Sequence, residues 1–290
     1  MRINFCTRAN ETMASYRYHC QIPARELGKL GHEVSIGEVD STAKVVIFNK
    51  HFDYNEHETL LECRRKGIKT VFHCCDNHFS TKHREYYRKM LRDADIILAP
   101  TEEMAKVIKG EIGRDAVVIP DPYELEEKSP SFKPEGDQLR LLWFGHHSNI
   151  DSLLDAWPIL EGHFVAVMTD PCVKINGKPV IPWSIEKLRE VLDKTDIVII
   201  PSKQNDRKTV KSPNRLIETV RQGKFVVSDP IPSYEPFGAW MCVNGIKEGL
   251  QWVKDNPEKI ENRIAEAQTY IKNIHSPERI GLLWEAGLKN

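Results

Sequence analysis

The sequence predicts an α/β protein made of two doubly wound domains that face each other across a cleft. Short apolar runs rich in β-branched residues alternate with amphipathic segments along the chain, which is typical of parallel sheets covered by helices on both faces. A proline-rich, charged stretch at 121–138 separates two such series. With 290 residues, each domain can bury a core of its own.

The predicted strands form two series. The first is 2–7, 32–37, 44–50, 69–75, 95–100 and 116–120, and the second is 139–145, 163–169, 196–201, 224–229 and 240–243. The amphipathic segments between them that should form helices include 82–93, 102–109, 151–160 and 184–193. These series predict an N-terminal domain at 1–124, a linker at 125–138 and a C-terminal domain at 139–275.

The last segment, 276–290, is predicted to be a separate helix. Ser276 precedes Pro277 and Glu278, a typical helix start. Because Ile280 and Trp284 belong to an apolar face together with Leu283, this helix should dock on another surface.

Composition and charge argue against several classes of protein. The formal net charge is −1, so no global field attracts the chain to nucleic acid or to an anionic membrane. The first residues lack the apolar run of a signal peptide, and no stretch approaches the length of a membrane span. A cytoplasmic protein without an integral membrane segment is expected.

The cysteines suggest reduced thiols rather than disulfides or a zinc site. There are seven, at 6, 20, 63, 74, 75, 172 and 242, and none forms a Cys-x-x-Cys pair. Scattered cysteines of odd number are typical of thiols that fill cores.

Ligands of open parallel sheets bind beyond the carboxyl ends of the strands, which directs attention to the loop at 143–151. Gly145 in this loop suits either a close approach to phosphate or an ordinary turn. His146 and His147 are adjacent, so in a strand or helix they cannot face one site. One of them is expected to donate to an anion.

The loop at 202–218 carries a group of cations and leads into a helix that should start near Ser212 and Pro213. The cations are Lys203, Arg207, Lys208, Lys211 and Arg215. A helix N-terminus surrounded by positive charge suits a diphosphate. Asn214 lies at this helix start, and Glu218 further along would either pair with Arg215 or bind vicinal hydroxyls. The second role is favoured.

In the N-terminal domain the corresponding loop is 76–79, which contains Asp76, Asn77 and His78. Asp76 and His78 could form an acid/base or hydroxyl-orienting pair, although an aspartate here could simply cap a turn. Arg17 lies on a helix that should face the cleft. The Asp-x-Asp pattern at 93–95 is interpreted as a helix-to-strand junction, and no metal is assigned to it.

Four segments, 14–36, 93–108, 139–153 and 211–238, resemble in order and spacing the GT-B glycosyltransferases, a large group of mostly retaining enzymes that use nucleotide-diphosphate sugars. The resemblance covers nearly the whole chain. It implies two Rossmann-like domains and a C-terminal helix, 276–290, that crosses back to the N-terminal domain.

The resemblance also implies roles for individual residues. The family signature is two glutamates separated by seven residues, of which the second, matching Glu218, binds the ribose hydroxyls. The first position, which usually contacts the donor sugar, is Lys211. This departure leaves the donor sugar and the stereochemical outcome open. A basic pair that neutralises the leaving diphosphate would be Lys211 and Arg215, and Gly223 should end the helix in a left-handed cap.

The predicted site is therefore assigned as follows. The donor-binding residues are Gly145, His146, Lys203, Lys211, Asn214, Arg215 and Glu218, with the backbone amides of Gly145 and His146 contributing. The catalytic residues are Asp76, His78 and Lys211, and Arg17 and Asn77 lie on the acceptor side. No metal and no cofactor besides the nucleotide-diphosphate sugar is expected.

The predicted activity is transfer of a sugar from a nucleotide-diphosphate sugar to an acceptor hydroxyl. The acceptor is open among a glycan, a lipid-linked precursor, a protein, a small molecule and modified DNA as in some phage enzymes, and the net charge does not support nucleic acid. Two alternatives remain. One is a GT-B-like sugar-nucleotide epimerase, and the other is a catalytically silent binding protein, since the first signature glutamate is missing.

Overall fold

The computed structural model describes residues 1–50, 52–170, 174–175 and 178–289. The chain divides into two compact units. Unit 1 consists of Met1–Glu124, Thr209–Ser212 and Asn273–Asn290, and unit 2 consists of Leu125–Lys208 and Pro213–Lys272. Each unit has an all-parallel main sheet with helices, so the predicted α/β fold class is confirmed.

Unit 1 contains a six-stranded sheet of order β2-β1-β3-β4-β5-β6. Its strands are β1 (Arg2–Cys6), β2 (Glu33–Gly37), β3 (Val45–Asn49), β4 (Lys69–His73), β5 (Ile96–Ala99) and β6 (Val117–Val118). The helices between them are α1 (Ala14–Tyr16), α2 (Ile22–Lys29), α3 (Tyr54–Arg65), α4 (Arg84–Asp93) and α5 (Glu102–Ile112). A π-helical segment, Arg17–Gln21, joins α1 to α2.

Unit 2 contains a five-stranded sheet of order β11-β8-β7-β12-β13 and a separate two-stranded pair of β9 and β10. The strands are β7 (Arg140–Phe144), β8 (Phe164–Thr169), β9 (Lys174–Ile175), β10 (Lys178–Pro179), β11 (Ile181–Pro182), β12 (Ile197–Ile200) and β13 (Phe225–Ser228).

The remaining helices are α6 (Ile150–Ala156), α7 (Ile185–Asp193), α8 (Asn214–Arg221), α9 (Ile246–Asp255), α10 (Ile260–His275) and α11 (Pro277–Lys289), and short 3₁₀ helices span His147–Asn149, Trp157–Leu160, Pro232–Phe237 and Pro257–Lys259. Within the described ranges, none of the helices has both the length and the apolar composition needed to cross a bilayer.

The strand predicted at 240–243 is wrong. Only Cys242 reaches the sheet, through an isolated parallel bridge to Val227. The amides of Trp240 and Met241 donate instead to the Phe237 carbonyl, so this segment completes a helical turn before it meets β13.

Alternate residues of β3 and β5 fill two apolar clusters, which explains the continuous apolar runs of these strands. In β3, Val46 and Phe48 belong to one cluster, and Val45 and Ile47 belong to the other. α11 packs into the second cluster, where the Trp284 ring centroid lies 5.4 Å from that of Phe5. The predicted apolar face of the last helix is thus docked within unit 1.

The described cysteines are free thiols. Those at 6, 20, 63 and 74 are buried, and those at 75 and 242 are half-buried. Cys172 lies outside the described residues.

Candidate functional site

At the carboxyl end of the unit 1 sheet, Asp76 lies between two lysines. Its carboxylate is 3.1 Å from Lys50 Nζ and also contacts Lys211 Nζ. Lys211 is held there by its neighbour Val210, which belongs to a unit 1 apolar cluster and whose carbonyl accepts a 3.0 Å hydrogen bond from Thr101 Oγ1. The three charged groups form the Asp76 cluster, defined as Lys50, Asp76 and Lys211.

The two ammonium groups keep Asp76 ionised. Burial raises the pKa of Asp76, but Lys211 and Lys50 lower it more, so the pKa lies well below its usual range. Conversely, Cys75 and Asp76 raise the pKa of Lys50 above its usual value although burial lowers it. A carboxylate of such low pKa is a weak proton acceptor. The lowered pKa is better suited to orienting a hydroxyl than to taking its proton, and either role for Asp76 stays a prediction.

Lys50 is a member of this cluster that sequence reasoning missed. It has a left-handed backbone, with φ of 56°, which is uncommon for a residue with a side chain. Strained positions of this kind concentrate at functional sites. The sequence shows only a lysine at the end of a predicted strand, and backbone strain has no signature there.

Asn77 and His78 follow Asp76 and make contacts with other residues of unit 1. Asn77 is buried, and its Oδ1 accepts a hydrogen bond from the Phe79 amide at 3.1 Å. The His78 ring lies 4.7 Å from Phe52 and 5.4 Å from Tyr87 between centroids. The assignment of Asn77 to the acceptor side and of His78 to catalysis stays a prediction.

Arg17 takes part in a buried ion pair. It lies on the π-helical segment, and its Nε is 2.7 Å from Glu124 Oε2. Tyr18 donates its hydroxyl to the same carboxylate at 3.0 Å. The ion pair with Glu124 explains the position of the Arg17 side chain without a bound ligand. The role of Arg17 toward an acceptor stays a prediction.

The Asp-x-Asp pattern at 93–95 lies between α4 and β5, at the amino end of the strand, as predicted. Asp93 Oδ2 is 2.6 Å from His57 Nε2, and Asp95 accepts a 2.8 Å hydrogen bond from the Thr70 amide. Both carboxylates therefore have structural partners.

In unit 2, Arg215 and Gly145 meet at the carboxyl end of β7. Arg215 Nη1 donates to the Phe144 carbonyl at 3.2 Å. The Gly145 amide donates to Met168 O at 3.1 Å, so the prediction that this amide binds phosphate is not supported. Gly145 instead leaves space for the Arg215 guanidinium, because a Cβ at this position would lie 3.3 Å from Arg215 Nη1.

Glu218 lies one helical turn further along α8. It is buried, and its Oε2 accepts a 3.0 Å hydrogen bond from the Leu125 amide. α8 begins at Asn214, close to the predicted start. Gly223, just after the helix, has φ of 70°, which confirms the predicted left-handed cap.

The cations predicted to form one group have different partners in the structure. Lys211 belongs to unit 1, whereas Arg215 belongs to unit 2. Lys203 Nζ is 2.6 Å from Asp155 Oδ2 on an exposed surface, and Lys208 Nζ contacts Asn149 Oδ1. Roles for Lys203, Lys211 and Asn214 toward a donor stay predictions.

Solved structures match the chain over its full length and have the GT-B glycosyltransferase fold. HepE from Anabaena in complex with UDP and glucose has a TM-score of 0.74 at 11% identity, covering 100% of this chain and 99% of that one. HepE in complex with UDP-glucose has a TM-score of 0.71 at 12% identity, covering 99% of each chain. A protein from Listeria monocytogenes, described as a candidate UDP-N-acetylglucosamine 2-epimerase, has a TM-score of 0.58 at 12% identity, covering 99% of this chain and 95% of that one.

The sequence itself matches no protein-family model and no curated protein. At these identities the structural matches establish the fold. The chain has a GT-B-like fold, as its resemblance to that family predicts.

Proposed function

We propose that the chain is a glycosyltransferase that moves a sugar from a nucleotide-diphosphate sugar to an acceptor hydroxyl. The observation that carries this proposal is the full-length match to HepE, whose structures contain UDP-glucose or UDP and glucose. Arg215 lies at the carboxyl end of β7, where ligands of such folds bind, and Glu218 follows it on α8.

Unit 2 is assigned to the donor. The Arg215 guanidinium suits a diphosphate because it offers paired donors and keeps its charge. The N-terminus of α8 adds a positive dipole end. Glu218 is proposed to accept from the ribose hydroxyls, in line with the family signature. Together Arg215 and the helix dipole would stabilise the negative charge that develops on the leaving diphosphate.

Unit 1 is assigned to the acceptor. An ionised Asp76 flanked by Lys50 and Lys211 could accept a hydrogen bond from a hydroxyl and so orient it. Orientation alone contributes substantially to rate when the reacting atoms are held in line. We propose retention of configuration and a transfer step that does not require a metal, as the resemblance implies.

The epimerase alternative has an observation in its favour. The Listeria monocytogenes structure, described as a candidate UDP-N-acetylglucosamine 2-epimerase, matches this chain almost end to end. An epimerase would convert its sugar nucleotide without an acceptor, whereas a transferase needs one for rapid turnover.

Nucleotide binding tests the donor site. UDP, GDP, ADP, CDP and TDP would be titrated by calorimetry, and we expect one base to bind best. Glu218→Gln keeps an acceptor for the Leu125 amide but removes the charge, and Arg215→Lys keeps the charge but removes the paired donors. Each should weaken diphosphate binding by about tenfold, or about 1.4 kcal/mol, without lowering the melting temperature. Lys194→Met, which removes an exposed charge just before β12, is the matched control.

Wild-type affinity in both folded variants would contradict the donor site. Assays with the best-bound sugar nucleotide, with and without a panel of acceptors, then separate the activities. Acceptor-dependent release of the nucleoside diphosphate supports a transferase. Acceptor-free isomerisation supports the epimerase, and binding without any turnover supports the silent protein.

A further inference from the structure

Three side chains with metal-binding chemistry converge at the carboxyl ends of β7 and β8. His146 and His147 follow Gly145, and Asp170 follows β8. One ligand atom from each, a ring nitrogen or a carboxylate oxygen, lies within 4.8 Å of the other two. Both imidazoles are exposed and Asp170 is half-buried, so an ion can reach all three from solvent.

The two adjacent histidines share a face because the backbone changes direction between them. His146 is extended, with φ of −64° and ψ of 143°, and His147 begins a 3₁₀ helix. Their ring centroids are 4.1 Å apart, with 34° between the ring planes. The expectation that neighbouring histidines cannot face one site, which holds for a regular strand or helix, is wrong for this turn.

Hydrogen bonds hold the three groups in position. Asp170 Oδ2 accepts from the His147 backbone amide at 3.1 Å and lies 2.8 Å from His147 Nδ1. His146 Nδ1 lies 2.9 Å from Ser148 Oγ. Metal-ligating histidines are commonly oriented by a hydrogen bond at the other ring nitrogen, and Ser148 is placed to provide it for His146.

We propose that His146, His147 and Asp170 bind one divalent transition-metal ion of the zinc type, with the remaining coordination positions open to water. Two imidazoles and a carboxylate suit zinc, cobalt, nickel and copper, whereas magnesium and calcium prefer oxygen ligands throughout. Ligands about 2.0–2.1 Å from a tetrahedral zinc ion are about 3.4 Å apart. Ligand atoms that lie within 4.8 Å of one another therefore need shifts of only about 1 Å to reach this spacing, and the 2.8 Å contact between His147 and Asp170 opens slightly when the ion binds.

This site departs from the expectation that the chain binds no metal. It does not depend on the proposed function, because metal binding can be measured without nucleotide. The backbone that carries the histidines continues directly from Gly145, beside which the Arg215 guanidinium lies, so an ion here would fix the turn that follows β7.

Titration of the metal-free full-length protein with Zn²⁺ alone, in a buffer that does not bind zinc, tests the site. We expect one saturable ion per chain. His147→Ala and Asp170→Asn should each weaken binding by at least about tenfold, and His83→Ala, which removes an exposed histidine of unit 1, should leave it unchanged. Because the two ligands are exposed or half-buried, melting temperatures of these variants should match the wild type.

Cobalt provides a second readout that identifies the ligands. Co²⁺ bound to nitrogen and oxygen should show visible bands without a sulfur-to-metal charge-transfer band, which excludes thiol binding. The absence of saturable Zn²⁺ binding, equal affinity in His147→Ala or Asp170→Asn, or a sulfur band with Co²⁺ would each overturn the proposal.

Discussion

His19 is a buried residue of unit 1 that carries a positive charge. Its Nε2 lies 2.8 Å from Asp121 Oδ1, and both side chains are almost fully buried. Burial acts to lower the pKa of His19, but the charge and hydrogen bond of Asp121 outweigh it and raise the pKa to about 10. The neighbouring His73 ring, 4.5 Å away between centroids, has a lowered pKa because of its burial and the charge on His19. One ring is therefore charged and the other neutral.

This pair predicts a pH dependence of stability. The unfolded pKa of histidine is near 6.5, so protonated His19 stabilises the fold fully below about pH 6.5. The contribution is lost as the pH rises toward about 10. His19→Gln leaves Asp121 buried without its cation and should cost about 3–5 kcal/mol at pH 6.

Urea unfolding at pH 6, 8 and 9.5 checks this prediction. The difference in free energy of unfolding between the wild type and His19→Gln should shrink as the pH rises. His83→Gln, at an exposed histidine, should show no such difference. A His19→Gln difference that is constant with pH would contradict a charged His19.

The residues that sequence reasoning placed correctly are those whose position follows from strand order alone. Asp76 follows a predicted strand, so the carboxyl-end rule brings it to the sheet edge. His19 and Asp121 lie 102 positions apart, and nothing in either local sequence marks the pairing. The partner of Arg17 is likewise not marked in the local sequence, since Glu124 lies at the far end of the first predicted domain.

Among the elements, the turn after α8 depends on a glycine for two separate reasons. Gly223 has φ of 70°, which penalises any side chain. In addition, a Cβ at Gly223 would overlap the carbonyl oxygen of Ser129. Gly162 has a similar φ of 85°, but a Cβ there would meet nothing within 4 Å. A comparison of the two glycines therefore distinguishes the energetic cost of backbone strain, present at both, from that of steric overlap, present only at Gly223.

Alanine at each glycine should give different losses of stability. Gly162→Ala should cost about 1–2 kcal/mol, the strain of a left-handed residue. Gly223→Ala should cost this and about 1–3 kcal/mol more, because the backbone at Ser129 has to move. Chemical denaturation of both variants measures the difference, and equal losses would contradict a close approach at Gly223.

The strands that the sequence predicts are determined by their own apolar composition, whereas the strands that it misses are determined by contacts with distant parts of the chain. β3 and β12 are fully buried runs, so their apolar composition identifies them. β9, β10 and β11 have two residues each, too few to show a periodicity, and their pairing depends on tertiary contacts. The segment 240–243 is apolar enough to resemble a strand, but the preceding 3₁₀ helix sets its hydrogen bonds.

At the scale of the whole molecule, unit 1 is assembled from three separate parts of the chain. The first 124 residues build the sheet, Thr209–Ser212 supplies Lys211 to Asp76, and the last residues supply α11. α11 is closely packed, since a Cβ on Gly281 would lie 2.5 Å from Glu26 Cβ in α2. The stability of the unit 1 sheet should therefore depend on residues that are far from it in sequence.

Replacing Trp284 with alanine tests this dependence. Trp284 is 2% exposed and packs on Phe5 and His73, so Trp284→Ala should cost about 3–5 kcal/mol. Hydrogen exchange should then speed up in β1 and β4, while β7 and β12 of unit 2 keep their protection.

Trp252→Ala is the reciprocal control, because Trp252 in α9 stacks on Phe225 of β13, with ring centroids 5.7 Å apart. It should affect exchange in β13 and leave β1 unchanged. Equal acceleration in both sheets with either variant would mean that the two units unfold as one cooperative body rather than separately.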